Sequence, residues 1–397
     1  MTRRVAVIGG AASPCGRLQA PADARLQVLE HELLAPLVID AMGAAGLPKE
    51  EIGALVLAMC RPYTLQKYFV TFLANYLRLP LKGTIMEVLG NGMTGGMAFD
   101  EAVNTVALGH ADVALALGIN MESQASSAEH MMTTMRAVGD VDFHSIFGFT
   151  PISWYAMDAV RYMHEFGATR AELASVAVKD RRHAALNPIA QFKKPLTLEE
   201  VLAARPIVEP LGLYEVPPRS DGAVCLVVCA EEVAKAGRRP YALVRGRGFF
   251  HEGAHQINEL PNDMTAFVSA QGAAAAAYSS AGITAEELDL AELYAPCTIV
   301  QVLVTEAMGL TPRGKGAAQA AAGETALGGR IPVCTSGGCL SRGHPAYVTG
   351  LLTIYELWEQ LTRRAGTRQV PNARLGAGSC ELGNYNAALI HILEAKA

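Results

Sequence analysis

The feature that most constrains the fold is a weak internal repeat, because a duplicated sequence predicts two halves of similar structure. Residues 40–58 resemble residues 276–295, with one glycine and a pair of adjacent glutamates at matching positions. Residues 93–106 resemble residues 348–361, and each copy has a Thr-Gly pair at its second and third positions. The two matches occur in the same order along the chain of 397 residues, so the sequence predicts a duplicated core.

Short apolar strands alternate with helical segments in this sequence. Residues 3–10, 52–59 and 112–120 are apolar runs typical of buried strands, and residues 28–46 form a helical segment that ends in a glycine. Alternation of this kind predicts an α/β protein built of two βαβ-type halves, with helices on both faces of the sheet.

The stretch 122–219 differs in character from both halves, because it is rich in Met, His, Phe and Pro. We interpret it as an inserted loop domain that covers the substrate. The predicted domains are therefore residues 1–121 for the first part of the N-terminal half, 122–219 for the insert, 220–240 for the last strand and helix of the N-terminal half, and 241–397 for the C-terminal half.

Charge and hydropathy exclude several classes of partner. The net charge is −5, and no run of Lys or Arg exceeds two residues, so no nucleic-acid partner is expected. No apolar stretch reaches the roughly 18 residues that a membrane-spanning helix needs. The short apolar run near the N-terminus matches a first strand better than a signal peptide, so a cytoplasmic location is expected.

No metal site is expected from the cysteines or histidines. None of the eight cysteines has C-x-x-C spacing, and Cys225 and Cys229 lie on one face of a strand-like run, as core thiols would. The motif HEGAH at 251–255 matches the H-E-x-x-H pattern of zinc proteases. Its Gly253 and the sequence around it favour a loop over the helix that this chemistry requires.

A glycine-rich turn separates a strand from a helix in the stretch MEVLGNGMTGGMAFDEAV, residues 86–103. Enzymes often place a nucleophile or an oxyanion hole at such a junction. The tip, Gly90-Asn91-Gly92, has no Cys, Ser, Lys or carboxylate. Backbone N–H groups at a helix start still attract a negatively charged oxygen, so the turn predicts an anion-binding site without a nucleophile.

Six motifs spread nearly end to end along the chain resemble the thiolase superfamily, and most of all its sterol-carrier-protein type. The specific one is the G-G-x-x-x-x-G-H-P block. The motifs are NGMTGGMA (91–98), HAALNPIAQF (183–192), SDGAVCLVV (220–228), AELYAPC (291–297), CTSGGCLSRGHPAYVTG (334–350) and LGAGSCELGNYNAALI (375–390). The resemblance implies the thiolase fold, a layered αβαβα core with an inserted loop domain.

The resemblance also implies the catalytic positions. The nucleophilic Cys of thiolases is replaced here by Gly92, and Tyr294 stands at the Asn or His of their N-E-A-F or H-D-x-F motif. The G-H-P histidine is retained as His344, and the second cysteine, which moves the proton of the substrate α-carbon, is retained as Cys380. Ordinary thiolysis needs a thiolate to carry the acyl group, so we expect it to be lost.

The retained groups suit a retro-aldol reaction on a β-hydroxyacyl-CoA. In the family, backbone amides at the turn and beside the second Cys (here Gly92, Met93 and Leu382) hold the thioester oxygen, and an enolate needs the same cradle. Tyr294 or His344 would act on the β-hydroxyl, and a lowered phenol pKa would be required for Tyr294 to serve as base.

Further residues complete the predicted site. A class of thiolase-like steroid side-chain aldolases lacks the Cys and uses tyrosines, and Tyr347 is a second candidate phenol because the repeat aligns it with Gly92. Phe147 and Phe149 in the insert are predicted to contact a bulky apolar acyl group, and Cys339 lies in the adjacent G-H-P loop. Coenzyme A is expected as part of the substrate, with no separately bound cofactor.

Two alternatives remain open. The first is a thiolase-like acyltransferase or condensing enzyme that uses another thiol, such as Cys339. The second is a non-catalytic subunit that binds CoA esters or acts as a scaffold. The resemblance also implies a homodimer, and in some members a small partner protein with zinc-ribbon and OB-fold parts.

Overall fold

The computed structural model describes residues 3–18, 28–59, 66–80, 82–122, 142–252 and 263–397. The strands in these residues are β1 (Val5–Ala12), β2 (Ala54–Met59), β3 (Ile85–Val88), β4 (Val113–Asn120), β5 (Pro206–Val208), β6 (Leu211–Gly212), β7 (Gly222–Ala230), β8 (Tyr241–His251), β9 (Leu290–Glu292), β10 (Leu375–Leu382) and β11 (Ala387–Lys396). The helices are α1 (Glu30–Ala45), α2 (Phe69–Leu77), α3 (Thr94–Ala107), α4 (Pro151–Phe166), α5 (Arg170–Ala185), α6 (Leu198–Leu202), α7 (Glu231–Gly237), α8 (Val268–Ala281), α9 (Thr298–Ala307), α10 (Gly316–Ala321) and α11 (Thr349–Leu361).

The strand order shows the duplication directly. The main sheet has nine strands in the order β3-β2-β4-β7-β1-β8-β11-β10-β9. The two halves meet at the β1–β8 pair and have the same sequence of strand directions going outward. In the N-terminal half β1 is antiparallel to β7, β7 is antiparallel to β4, and β4 is parallel to β2. In the C-terminal half β8 is antiparallel to β11, β11 is antiparallel to β10, and β10 is parallel to β9. Beyond them, β3 runs parallel to β2, and Val333 forms a parallel bridge to Ala291 at the matching place. The predicted duplicated α/β fold is confirmed.

The first repeated segment has the same local structure in both copies. Helix α1 ends at Gly46 with φ 70°, and α8 ends at Gly282 with φ 67°, which is the left-handed conformation that glycine adopts without strain. Each glycine is followed by a short 3₁₀ turn and then by a buried strand, β2 or β9. The matching glycines therefore end corresponding helices.

The helices form three layers around the two halves of the sheet. Helices α1 and α2 cover the outer face of the N-terminal half, and α8 and α9 lie over the outer face of the C-terminal half. Helices α3 and α11 lie between the halves, where they share one apolar core. Burial of β2 and β4 along their whole length follows from coverage on both faces. This is the predicted αβαβα layering.

The described part of the insert packs on the C-terminal half. It contains α4, α5, α6 and the small β5–β6 hairpin, and α4 and α5 contact α9. Helix α5 begins with a capping box, in which the Thr169 side chain accepts from the Glu172 amide and Glu172 accepts from the Thr169 amide. The domain boundaries drawn from the sequence remain predictions. Among the described residues, no helix is both long and apolar enough to cross a membrane.

The two central helices approach each other through glycines at their N-terminal ends. A Cβ atom on Gly350 of α11 would lie 2.4 Å from the Gly96 nitrogen of α3 and 2.6 Å from the Cys380 sulfur. A Cβ atom on Gly95 would lie 2.8 Å from the Leu351 nitrogen. Any side chain at these positions would force the helices apart, so the contact is made between backbones.

We predict that Gly350→Ala destabilises the fold by about 1–3 kcal/mol, the usual cost of overpacking a rigid core. Gly43→Ala in α1 is the matched control, because no atom lies within 4 Å of its added methyl group. The control should change the free energy of unfolding by less than about 1 kcal/mol, and in the stabilising direction. Urea denaturation of both variants measures the difference, and equal stability of the two would contradict the close packing.

Candidate active site

Four segments that are distant in sequence meet at the N-terminal end of α3. They are the 3₁₀ turn at Asn91–Met93, the residue Tyr294 after β9, the loop that carries His344, and Cys380 on β10. Their apolar parts form a small buried cluster with Leu382 packed against it: Met93, Tyr294, Cys380, Ala387 and Leu389. The structure therefore brings together Gly92, Met93, Tyr294, His344, Cys380 and Leu382.

Cys380 occupies a space that two glycines leave open. Its thiol donates to the Gly92 carbonyl oxygen at 3.3 Å. Cβ atoms on Gly96 and Gly350 would lie 3.0 Å and 2.6 Å from its sulfur. Burial raises the pKa of Cys380 to about 12, although the Gly96 amide acts in the opposite direction. The thiol is thus protonated at neutral pH, which suits an acid better than a nucleophile.

Tyr294 and His344 form a pair. The Tyr294 hydroxyl lies 3.5 Å from His344 Nε2, and the two rings meet edge-on at a centroid distance of 5.2 Å. His344 Nδ1 lies 3.3 Å from the Thr349 hydroxyl, which itself donates to the Pro345 carbonyl oxygen. From these partners we assign the proton to Nδ1, which leaves Nε2 as the acceptor that faces the phenol.

Both members of this pair are neutral. Burial lowers the pKa of His344 to about 3, and the nearby Arg342 and Arg219 lower it further. Burial raises the pKa of Tyr294 well above its usual value, and Glu381 adds to the rise. The lowered phenol pKa that the sequence analysis required is therefore not present. Tyr294 is a hydrogen-bond donor here.

Glu381 is a site residue that the sequence analysis missed. A Cβ atom on Gly92 would lie 2.9 Å from the Glu381 Oε1 atom and 2.9 Å from the Tyr294 hydroxyl oxygen. The carboxyl and the phenol therefore fill the space in which a nucleophilic side chain at position 92 would begin. Burial raises the pKa of Glu381 to about 7. The signal in the sequence that could have identified Glu381 is its carboxylate directly after Cys380 in a buried strand.

A buried polar network holds the loop that carries His344. The Ser336 amide and hydroxyl both donate to the Glu292 carboxylate at 2.9 Å. Arg342 donates to the Ser336 hydroxyl at 3.1 Å and lies 3.9 Å from Glu292. The His344 amide donates to the Ser220 hydroxyl at 2.8 Å. The backbone that carries His344 is therefore held by a hydrogen bond to Ser220 and by this network.

The predicted oxyanion donors differ in whether their amides already have a hydrogen-bond partner. The Met93 amide donates to the Gly90 carbonyl oxygen at 2.9 Å, so it closes the turn. The Gly90 amide in turn donates to the Thr94 hydroxyl at 2.8 Å. Leu382 is half-buried at the end of β10, beside Glu381. The oxyanion roles of Gly92 and Leu382 remain predictions, and that of Met93 has a competing partner.

The other predicted residues lie in several different places. Cys339 is fully buried, and burial raises the pKa of its thiol to about 12, which does not suit a second nucleophile. Tyr347 is half-buried in the 3₁₀ turn before α11, the structural counterpart of the Gly92 turn. Phe147 is 68% exposed, and Phe149 lines a separate cavity of about 540 Å³ beside α4 with Met157. The substrate contacts of both phenylalanines stay predictions.

No group of three or more His, Cys, Asp or Glu side chains that could hold a metal ion occurs among the described residues. The H-E-x-x-H motif begins at His251, the last residue of β8, and its residues from Gly253 onward lie outside the described part.

Family models cover most of the chain. Residues 5–232 match the model described as Thiolase, N-terminal domain, and residues 252–395 match the one described as Thiolase C-terminal domain-like. The chain belongs to the thiolase family. The thiolase-superfamily resemblance expected from the sequence is thereby confirmed.

Several proteins are similar to this thiolase-family chain. It is 29% identical to the acetyl-CoA acetyltransferase of Methanothermobacter thermautotrophicus, over 98% of this chain and 99% of that protein. It is 36% identical to the benzoylsuccinyl-CoA thiolase subunit BbsB of Thauera aromatica, over 72% of this chain and 73% of that protein. A steroid side-chain-cleaving aldolase of Thermomonospora curvata is 35% identical over 58% of this chain and 59% of its own length.

Solved structures agree with this fold. An Ltp2-ChsH2(DUF35) aldolase matches with a TM-score of 0.82 and 27% identity, over 99% of this chain and 98% of that chain. Human mitochondrial 3-ketoacyl-CoA thiolase in complex with CoA matches with a TM-score of 0.73 and 14% identity, over 100% of this chain and 98% of that chain. The second likeness shows the fold alone.

We predict that Glu381→Gln stabilises the protein at high pH but not at low pH. The pKa of this carboxyl is raised from 4.5 to about 7 by burial, so its ionisation disfavours the folded state. The wild type should lose up to about 3 kcal/mol relative to the variant as the pH rises from about 5 to about 8. Chemical denaturation across this range measures the difference.

Glu394→Gln is the matched control, because Glu394 pairs with Arg245 and Lys396 near the surface. It should show no gain at high pH. A stability difference for Glu381→Gln that does not change with pH would show that the carboxyl does not titrate there.

Proposed function

We propose that this protein is an acyl-CoA enzyme that cleaves a β-hydroxyacyl-CoA by a retro-aldol reaction, without a cysteine nucleophile. One observation carries the proposal. At position 92 the Tyr294 hydroxyl and the Glu381 carboxyl lie where the side chain of a nucleophile would begin. Gly92 itself has no nucleophile on which an acyl-enzyme could form, while a protonated thiol and a phenol remain to act on a substrate.

The reaction needs one base, one acid and a cradle for an oxyanion. The base removes the β-hydroxyl proton, the carbon–oxygen bond becomes a carbonyl, and the Cα–Cβ bond breaks with its electron pair passing to the thioester enolate. Backbone amides at the Gly92 turn and beside Leu382 would stabilise the enolate oxygen. The Cys380 thiol then protonates the α-carbon. The products are an aldehyde or ketone and a shortened acyl-CoA.

Two of the similar proteins support the retro-aldol reading. A steroid side-chain-cleaving aldolase and an Ltp2-ChsH2(DUF35) aldolase are among the similar proteins, beside thiolases and an acetyltransferase. The acyltransferase alternative needs another thiol, and Cys339 is fully buried with a raised pKa. The scaffold alternative leaves the converging polar groups at Gly92 without a role.

We also propose that the protein works in an assembly. BbsB is one subunit of its thiolase, and the matched aldolase structure contains two components, Ltp2 and ChsH2(DUF35). A small zinc-ribbon and OB-fold partner is consistent with both. We propose that a homodimer forms through the edge of the sheet at β3. This is the outermost described strand on the N-terminal side, and Ile85 and Leu89 there are apolar residues that are 40% and 56% exposed.

We predict that the wild type releases benzaldehyde and acetyl-CoA from 3-hydroxy-3-phenylpropanoyl-CoA, or the corresponding products from a long-chain or steroid-side-chain β-hydroxyacyl-CoA. Cys380→Ala should slow this cleavage by about 10²–10⁴-fold, since it removes the acid at the α-carbon. Cys225→Ala, which removes a buried thiol in β7 far from the site, should not. Product release is followed by liquid chromatography.

Intact-protein mass spectrometry after incubation with an acyl-CoA separates the alternatives. A stable thiol-linked acyl adduct would favour the acyltransferase reading. Absence of cleavage with all three probes, together with thiolysis by Gly92→Cys, would overturn the proposal. We expect Gly92→Cys alone to give no thiolysis, because its Cβ would lie 2.9 Å from two oxygen atoms.

We predict that Leu89→Lys and Ile85→Lys convert a dimer to a monomer, because each places a charge on the exposed strand edge. Leu202→Lys is the control, since Leu202 is a similarly exposed apolar residue in the insert. Sedimentation velocity measures the mass. A wild-type monomer, or variants that stay dimeric, would rule out this edge as the interface.

A further inference from the structure

We propose that Glu381 is the general base of this site, and that it accepts the proton of the substrate β-hydroxyl group. The inference rests on the retro-aldol function proposed above and goes beyond it by assigning the base. Neither Tyr294 nor His344, the two groups considered from the sequence, is left with this role.

The position of the carboxyl is the first support. Glu381 Oε1 and the Tyr294 hydroxyl oxygen lie on the same side of Gly92, each 2.9 Å from the place of its missing Cβ. The Cys380 thiol contacts the carbonyl oxygen of the same glycine at 3.3 Å. A carboxyl, a phenol and a thiol therefore surround one small residue, and a substrate hydroxyl above Gly92 could donate to the carboxylate.

The carboxyl is also held in place. Its Oε2 atom accepts from the Tyr385 amide at 3.2 Å. Tyr385 is itself anchored, because its ring stacks on Phe267 at a centroid distance of 4.6 Å and its hydroxyl donates to the Tyr294 carbonyl oxygen. One residue thus contacts both the Glu381 carboxyl and the backbone of Tyr294. The Asn384 amide also interacts with the carboxyl, and Oε1 is the oxygen atom on the Gly92 side.

The surrounding groups leave Glu381 as the one that can change charge near neutral pH. Those whose pKa values respond to its charge are Tyr155 from α4, Tyr294 from the segment after β9, Tyr385 from the β10–β11 turn, and its neighbour Cys380. Burial raises the pKa of all four, so they are neutral. Burial alone raises the pKa of Glu381, to about 7, which is the value that a base at physiological pH requires.

The proton balance closes without any further reactant. Glu381 takes the hydroxyl proton as the Cα–Cβ bond breaks, and Cys380 gives its proton to the α-carbon. The enzyme is then left with a protonated carboxyl and a thiolate on adjacent residues. Proton transfer from the carboxyl, with a pKa of about 7, to the thiolate, with a thiol pKa of about 12, is downhill and restores the starting state.

The test is the pH dependence of cleavage by the full-length protein, with its partner if one co-purifies, on whichever β-hydroxyacyl-CoA probe it accepts. Between about pH 5 and about pH 9, kcat/KM of the wild type should fall about tenfold for each pH unit below about 7. Glu381→Gln keeps the shape of the side chain and its acceptor oxygen but cannot take a proton. It should lose about 10²–10⁴-fold at high pH and lose this acidic limb.

Two further variants make the result specific. Glu381→Asp retains a carboxylate on a shorter arm, so it should recover part of the rate and retain an acidic limb, which a purely structural role would not produce. Glu394→Gln should keep the wild-type profile, because Glu394 lies in a surface ion pair with Arg245.

The possible results separate the assignment of Glu381 from the retro-aldol function. If the wild type cleaves and Glu381→Gln keeps the rate within about tenfold or keeps the acidic limb, the assignment of Glu381 is overturned while the retro-aldol function stands. If the wild type cleaves none of the probes, the function and the assignment fall together. Thermal unfolding at about pH 5, where the wild-type carboxyl is protonated, shows whether the variant is folded.

Discussion

The close backbone contact between α3 and α11 is the constraint on which the rest of the structure depends. Gly95, Gly96 and Gly350 let the N-terminal ends of the two central helices touch between the halves of the sheet. The same absence of side chains leaves room for the Cys380 thiol, because Cβ atoms on Gly96 and Gly350 would lie only 3.0 Å and 2.6 Å from its sulfur. The same glycines therefore determine both the packing of the core and the position of the site.

Burial explains the chemistry of the site as well as its stability. Removal from water disfavours every charged form, so Tyr294 and Cys380 keep their protons and His344 stays neutral. The Glu381 carboxyl, whose pKa starts low, is brought by the same effect to about 7. The carboxyl that we propose as the base is thus one whose ionisation lowers stability, an exchange of stability for activity that is common in active sites.

Much of the fold could be predicted from local signals. Gly46 and Gly282 end corresponding helices because only glycine adopts their backbone conformation without strain, and Thr94 and Thr349 begin corresponding helices. Such signals are short-range, so one sequence is enough to see them. The contacts made by Phe147 and Phe149 could not be predicted, since their apolar character is compatible with a core, a cavity wall or an exposed surface.

The sequence by itself determined the duplicated α/β fold, because that depends on residue identity and order. From its resemblance to thiolases it also predicted that Gly92 replaces the nucleophile and that His344 and Cys380 are retained. Only the tertiary structure decided which groups share the space at Gly92. It showed that Tyr294 donates to a neutral His344, that the Met93 amide already has a partner, and that Glu381 lies beside the phenol. The physical reason is that distances and burial, which set pKa values and hydrogen-bond partners, arise from segments nearly 300 residues apart in the chain, such as Gly92 and Cys380, separated by 288.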